Sequence, residues 1–257
     1  MTTTNTTRVS LRDISEAAFR GLTAHGASHG EARMASRMVL QAELMGGGGL
    51  AALRDDLAGQ PWNRTPVEVS AAPLGTADGA GKFVLRSPDG NRLLREAPLA
   101  VELVASGGDA HAVGVPTDVA GTALLDAVSL EIAEASGTGV AVIICPSPQP
   151  GAETAPGGSS EGSVPETGQL RWARPDGSMG VGTIKSLPIA WQHLLDGPGV
   201  LALRDTEALG DVELSWISAE DRAGIRAQAA SGGVPVDTDL WQTVYGAARR
   251  YLVPERP

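Results

Sequence analysis

The side chains best suited to proton transfer lie in one short segment, "GGDAHAVGVPTD" (107–118), which contains His111 and Asp118. An imidazole can act as general acid or base near neutral pH. A carboxylate close to it can orient the ring and raise its pKa. We therefore predict that His111 and Asp118 are catalytic residues. A solvated loop in which the aspartate only caps the following helix is the alternative.

A second group of polar side chains flanks the apolar segment "SLPIAWQHLL" (186–195). Lys185, just before it, could hold a substrate carboxylate as a movable point charge. His193 and Trp191, within it, would line the same pocket. We predict these three as substrate-binding residues. The alternative is an exposed lysine beside a half-buried histidine.

Other reactive residue types give weaker indications. His25 and His29 have a helical metal-site spacing, but the residues between them read as a helix break. The single Cys145 excludes an internal disulfide, and its apolar neighbour Ile144 favours an inert core thiol over a nucleophile. We predict no metal site.

Composition restricts the partners. The formal net charge of −10 repels nucleic acid and anionic lipid, and no apolar run approaches the length of a membrane span. The first residues, "MTTTNTTRVS", lack the basic and apolar parts of a secretory signal. We expect a cytoplasmic protein that binds a small molecule, with residues 1–8 as a disordered tail.

The first sixty residues predict a helical hairpin and a third, Leu-rich helix. Ser10 is a good N-cap, and Ser28 with Glu31 forms a capping box. "GGGG" (46–49) separates the second helix from the third. Either this turn needs glycine for its backbone, or a side chain that once carried out chemistry has been lost there.

The remainder predicts a mixed sheet with flanking helices. Segments 67–71, 82–86, 99–105, 140–144, 199–205 and 211–217 have strand composition, and a hairpin turns at Pro175-Asp176-Gly177. A helix capped by Thr117 or Asp118 precedes the apolar strand at 140–144. Residues 146–168, rich in Pro, Gly and Ser, predict a flexible loop. Residues 9–257 are expected to form a single α/β domain.

The final helix carries a broad apolar stripe that includes Trp241, Tyr245 and Leu252. This stripe is wider than a surface helix needs, so we predict a homodimer. Packing of the stripe into the protein's own core is the alternative.

Two parts of the sequence, 9–60 and 113–145, resemble the malate/L-lactate dehydrogenase type-2 family. The resemblance rests on the helical hairpin that ends in glycine and on "DAVSLEIAEASGTGVAVII" (126–144). It implies an α/β fold distinct from the Rossmann fold, a dimer, and reduction of keto or imino acids with NADH or NADPH. The closing "VPVDTDLWQTVYGAARRYLVPERP" (234–257) is similar to a bacterial family of unknown function that is a shortened relative of these dehydrogenases.

The departures from that family determine the predicted function. Where the dehydrogenases carry Asp-Ser-His-Gly, this chain has Gly46–Gly49, and their Ser-x-His-Phe-Gly segment is replaced by "CPSPQ" (145–149). Both histidines are missing, and a carbonyl reduction needs a positioned proton donor. We predict a redox-neutral enzyme, of lyase, isomerase or cyclase type, that acts on a small carboxylate-bearing metabolite without a cofactor. An inactive homologue with a structural or regulatory role, or an NADPH- or NADH-dependent reductase with a rearranged acid, are the alternatives.

Overall fold

The computed structural model describes residues 5–62, 66–71, 81–88, 90–106, 110–117, 123–145, 168–184, 191, 194–195, 198–204 and 212–252. Residue contacts divide the chain into two compact units, whereas the sequence suggested one domain. We call Met1–Arg64, Ala120–Val128 and Ser218–Pro257 the helical unit. Thr65–Val119 and Ser129–Ile217 form the sheet unit. The predicted flexible loop at 146–168 lies almost wholly outside the described residues.

The helices are α1 (Leu11–Ala24), α2 (His29–Leu44), α3 (Gly49–Ala58), α4 (Leu93–Ala105), α5 (Asp126–Ser136), α6 (Ala219–Gly232) and α7 (Thr238–Arg249), which a 3-10 turn (Arg250–Leu252) follows. The strands are β1 (Thr6–Val9), β2 (Glu68–Ala71), β3 (Lys82–Arg86), β4 (Ala112–Pro116), β5 (Val140–Cys145), β6 (Gly168–Ala173), β7 (Met179–Ile184), β8 (Gly199–Leu203), β9 (Leu214–Ile217) and β10 (Val234–Asp237).

Polar side chains cap α1 and α2 where the sequence predicts. Ser10 accepts a hydrogen bond from the Asp13 N–H at the start of α1. Ser28 and Glu31 form the predicted capping box of α2. Because each cap satisfies a backbone N–H that has no partner inside the helix, these boundaries could be predicted from local sequence alone.

The expected disordered tail is wrong for residues 6–8. They belong to β1, which pairs antiparallel with β10, with Arg8 opposite Pro235. The partner strand is more than two hundred residues away in the sequence, so no local sequence pattern indicates the pairing. Residues 1–4 lie outside the described part of the chain.

The sheet unit is built on an eight-stranded mixed sheet in the order β2-β3-β4-β8-β5-β6-β7-β9. β3 and β4 run parallel, and the other neighbouring pairs that the structure describes are antiparallel. The predicted hairpin at Pro175-Asp176-Gly177 is confirmed as the β6–β7 connection. The apolar strand β5 is buried along its whole length, as its run of β-branched residues indicated.

The predicted strand at 99–105 is wrong, because these residues belong to helix α4. Its buried side chains recur at helical spacing: Leu94, Ala97, Val101 and Val104. Pro98 lies inside the helix. At the start of α4 the buried Glu96 carboxylate accepts a hydrogen bond from the Arg92 N–H.

The predicted helix start at Thr117 or Asp118 is also wrong. Ala112–Pro116 forms strand β4, and the next helix, α5, begins at Asp126. β4 is a short apolar run that ends in proline, so periodicity alone could not separate it from the helix that follows. No described helix is long and apolar enough to cross a membrane.

The turn between α2 and α3 requires its glycines. Gly46, Gly47 and Gly48 all have positive φ, at 134°, 89° and 95°, a region that side chains with a Cβ rarely adopt. Gly49 begins α3 against α2, and a Cβ there would collide with the Val39 carbonyl oxygen. The first alternative posed by the sequence, a turn that needs glycine for its backbone, therefore has a physical basis.

We expect Gly49→Ala to lower the free energy of unfolding by about 1–3 kcal/mol, because the backbone of α2 or α3 must move to admit the methyl group. Gly224→Ala is the matched control, since a Cβ at this position in α6 meets nothing within 4 Å. The control should be neutral or stabilising, because alanine favours a helix interior over glycine. Urea denaturation measures both. Equal stability of Gly49→Ala and the unsubstituted protein would contradict the close contact.

Candidate functional site

Glu43 organises the polypeptide around the glycine turn. It lies in the last turn of α2, and its Oε1 accepts a hydrogen bond of 2.7 Å from the Leu50 N–H at the start of α3. The N-cap of α3 is Gly48, which has no side chain to perform this role. A carboxylate from the preceding helix therefore satisfies an N–H group at the N-terminus of α3.

The Glu43 carboxyl has a pKa above its usual value. Burial is the main cause, because it disfavours the charged form, and the backbone N–H groups of Leu50, Gly49 and Gly48 only partly oppose it. No cationic side chain of the described residues is among the main contributors to this balance. Glu43 is thus a half-buried carboxyl that could hold or release a proton more readily near neutral pH than an exposed one.

A groove of about 740 Å³ lies beside this turn, within the helical unit. One side is formed by Glu43, Leu44 and the first two glycines of the turn. The other side is formed by the second half of α6 and the start of β10, including Gln228 and Ser231. The groove is large enough for a small metabolite.

Arg8 lines the same groove from strand β1. Its Nη1 donates to the carbonyl oxygens of Gly232 and Gly233, at 2.9 and 3.0 Å, at the C-terminal end of α6. These two bonds leave its Nε and Nη2 without a hydrogen-bond partner among the described residues. One edge of the guanidinium is therefore anchored, and the other could bind a carboxylate in bidentate fashion.

The groove combines groups of opposite charge that do not pair with each other. Arg8 and Glu43 make no ion pair, although both line it. No histidine or cysteine is among the described lining residues. The arrangement could bind an anionic group at Arg8 and exchange a proton at Glu43. Sequence reasoning missed both residues, since Arg8 fell in the expected tail and Glu43 resembles any helical surface glutamate.

The predicted catalytic pair lies in the sheet unit. His111 is exposed and directly precedes β4, whereas Thr117 directly follows this strand, about 20 Å further along. Strand β4 therefore lies within the segment 107–118, between His111 and Thr117. Asp118 lies outside the described residues, so its pairing with His111 stays a prediction.

His111 has a different described neighbour, Arg204, whose Nη2 lies 3.2 Å from the imidazole Nδ1. A guanidinium can only donate, so Nδ1 must accept, and a neutral ring then carries its proton on Nε2. The contact with Arg204, which directly follows β8, therefore leaves Nε2 as the ring nitrogen that could deliver a proton.

The predicted substrate-binding residues are only partly described. Lys185 and His193 lie outside the described residues, so their roles stay predictions. Trp191 is 7% exposed and packs in the core of the sheet unit with Leu194, Leu195 and Leu201. Cys145 is buried in the same cluster, and burial raises its pKa to about 11, which keeps it a neutral thiol at physiological pH.

Comparison with solved structures identifies the fold of the chain. No protein-family model matches the chain, and no curated protein matches it in sequence. Among solved structures, malate dehydrogenase from Pyrococcus horikoshii is similar, with a TM-score of 0.61, 13% identity and 98% of each chain covered. A dehydrogenase from Sinorhizobium meliloti has a TM-score of 0.58 and 14% identity over 95% of this chain and 100% of its own.

Sulfolactate dehydrogenase from Methanocaldococcus jannaschii is a further similar structure, with a TM-score of 0.56 and 11% identity over 96% of this chain and 98% of its own. At these identities the likeness establishes the fold alone. The chain therefore has the α/β fold of malate/lactate dehydrogenase-like proteins, with a mixed sheet. The predicted fold class is confirmed.

We expect Glu43→Ala to destabilise the protein by about 1 kcal/mol, as loss of a helix cap does. Glu43→Gln keeps an acceptor for the Leu50 N–H and should be at least as stable as the unsubstituted protein at neutral pH. The folded pKa of Glu43 lies above the unfolded one, so ionisation costs stability as the pH rises between the two values. Urea denaturation at pH values between these two pKa values should show a fall in the free energy of unfolding of the unsubstituted protein that Glu43→Gln lacks. Parallel pH profiles of stability for the two proteins would contradict the raised pKa of Glu43.

If His111 is the general acid or base of the reaction, His111→Ala should lower turnover of the identified substrate by about 10²-fold or more. His29→Ala, which removes an exposed imidazole from the helical unit, is the control and should leave turnover unchanged. Steady-state kinetics on both folded variants would decide this. Near-full activity of His111→Ala would exclude His111 from catalysis.

Proposed function

We propose that this protein is a redox-neutral enzyme that acts on a small carboxylate-bearing metabolite, on a dehydrogenase-like scaffold that has lost its catalytic histidine motifs. The observation that carries the proposal is the groove beside Gly46–Gly49. There, an anchored guanidinium and a half-buried carboxyl line one cavity. The dehydrogenases that the sequence resembles carry Asp-Ser-His-Gly at this turn, whereas here the turn has no side chains.

The two groups suggest how such a reaction would proceed. Arg8 would bind the substrate carboxylate through its unpartnered edge and fix the adjoining carbon in the groove. Glu43, as the carboxylate, would accept a proton from the substrate and later return it. Return to a different atom gives an isomerisation, and departure of a leaving group with the electron pair gives an elimination. Neither outcome consumes a hydride.

The groove residues fit a nicotinamide dinucleotide poorly. Arg8 is the only cationic side chain among its described lining residues, and Glu43 adds a negative charge. A pyrophosphate is normally held by several backbone N–H groups or cations. We therefore assign no step to NADH or NADPH at this site.

A second candidate function is a reductase that uses NADH or NADPH with a rearranged acid. The fold favours it, since the structures that resemble this chain include the malate and sulfolactate dehydrogenases named above. The two candidates differ in one measurable property, which is binding of the reduced nicotinamide cofactor.

We expect fluorescence titration to give no micromolar dissociation constant for NADH or NADPH. Thermal-shift assays should instead detect stabilisation by some members of a panel of small hydroxy, keto, amino and dicarboxylic acids. Arg8→Gln should weaken that binding about tenfold or more, as loss of a charged hydrogen-bonding pair does. Arg12→Gln, at an exposed arginine of α1, is the control. Micromolar nicotinamide binding would favour the reductase, and failure of every carboxylate to bind would overturn the proposed function.

We further propose that the protein is a homodimer formed through α7. Tyr245 on this helix is 52% exposed, and its ring lies 5.7 Å from that of Trp241. The aromatic stripe predicted from sequence is therefore only partly used by the chain's own core. Large exposed aromatic side chains are enriched at protein interfaces. The same surface would serve a structural role if the protein were inactive.

We expect sedimentation at micromolar concentration to give twice the chain mass of 26.3 kDa. Tyr245→Ser should shift the equilibrium toward monomer, because it removes an exposed aromatic contact. Gln242→Ser, at an exposed polar position of the same helix, should not. A monomer mass for the unsubstituted protein would rule out the dimer.

A further inference from the structure

The groove in the helical unit presents one positive and one negative group to the same ligand volume. Arg8 lies on the side of α6 and β10, held there by the carbonyl oxygens of Gly232 and Gly233. Glu43 lies on the opposite side, held by the Leu50 N–H. Because each charge is anchored by backbone groups of its own side, the two side chains are not free to close the groove by pairing with each other.

Each of the two charges also lacks a counter-ion. Arg8 contacts two neutral carbonyl groups and no carboxylate among the described residues. Glu43 contacts neutral backbone N–H groups, and no cation of the described residues is among the main influences on its ionisation. The half-buried Glu43 carboxylate is therefore poorly stabilised without a counter-ion, and a ligand that supplies one gains affinity there. Arg8 is exposed and offers a ligand carboxylate the hydrogen-bond donors of one edge.

We propose that the groove binds a zwitterionic amino acid, with the carboxylate on Arg8 and the ammonium group on Glu43. Ile225 and Ala229, which also line the groove, would accept the ligand's side chain. This inference rests on the proposed function and narrows its substrate class from carboxylates in general to amino acids.

The charges of Arg8 and Glu43 disfavour three related classes of ligand: dicarboxylates, simple amines and 2-hydroxy acids. A dicarboxylate would place its second negative group beside Glu43, and an amine without a carboxylate would leave Arg8 unpaired. A 2-hydroxy acid satisfies Arg8 and offers Glu43 a neutral hydroxyl group. An ammonium group adds Coulomb attraction to its hydrogen bond with the Glu43 carboxylate, and a neutral hydroxyl group does not, so the amino acid should bind more tightly than its hydroxy counterpart.

The test compares matched ligands by calorimetric titration of the full chain. The common L-amino acids are titrated first, and each that binds is compared with its 2-hydroxy acid and with its decarboxylated amine. We expect the amino acid to bind at least about tenfold more tightly than either counterpart, which corresponds to about 1.4 kcal/mol. Equal affinity for the amino acid and the hydroxy acid would overturn the inference.

Two variants locate the effect. Glu43→Gln retains an acceptor for the Leu50 N–H and removes the charge, so it should abolish the preference for amino acid over hydroxy acid while leaving hydroxy acid binding unchanged. Arg8→Gln should weaken both ligands. Arg12→Gln controls for a general loss of positive charge and should change neither. A preference that survives Glu43→Gln would overturn the assignment of the ammonium group to this residue.

The outcomes separate this inference from the function on which it rests. If hydroxy or keto acids bind through Arg8 and amino acids bind no more tightly, the proposed enzyme for carboxylate-bearing metabolites is retained. The inference that its ligand is a zwitterionic amino acid is then wrong. If no amino acid, hydroxy acid or keto acid binds at millimolar concentration, both are wrong.

Discussion

The approach of Gly49 to the Val39 carbonyl is the contact on which the candidate site depends. It brings the N-terminus of α3 against α2 with no side chain between them. This places the Leu50 N–H within reach of Glu43, which then caps the helix. Three preceding glycines with positive φ make the reversal possible. A larger residue at position 49 would separate the helices and remove both the cap and one side of the groove.

Long-range pairing supplies the other side of the groove. β1 and β10 come from opposite ends of the chain, and their ladder places Arg8 beside the last turn of α6. The guanidinium is thereby fixed by two carbonyl groups and not by another charge. A scaffold shared with dehydrogenases can present different chemistry when such anchored groups border a turn without side chains.

Sequence patterns predicted the local features well and the non-local ones poorly. Ser10 and Ser28 cap helices where expected, because a cap needs only a few adjacent residues. The apolar composition of residues 99–105 favours a strand, whereas in the structure they form part of the buried helix α4. Arg8 and Glu43 gave no signal, since their meeting at one groove depends on tertiary structure. The fold class followed from the predicted elements together with the family resemblance, but the site did not.

The order of the two units along the chain affects synthesis. Apart from a short middle segment, the helical unit is formed by the first 64 residues and by those from Ser218 onward, and the sheet unit lies between them. On the ribosome, β1 therefore emerges long before its partner β10. Until translation is nearly complete, the early helices must persist with an unpaired strand and an unfinished core. The N-terminal helices of the nascent chain therefore expose part of their apolar surface until the residues from Ser218 onward have been synthesised.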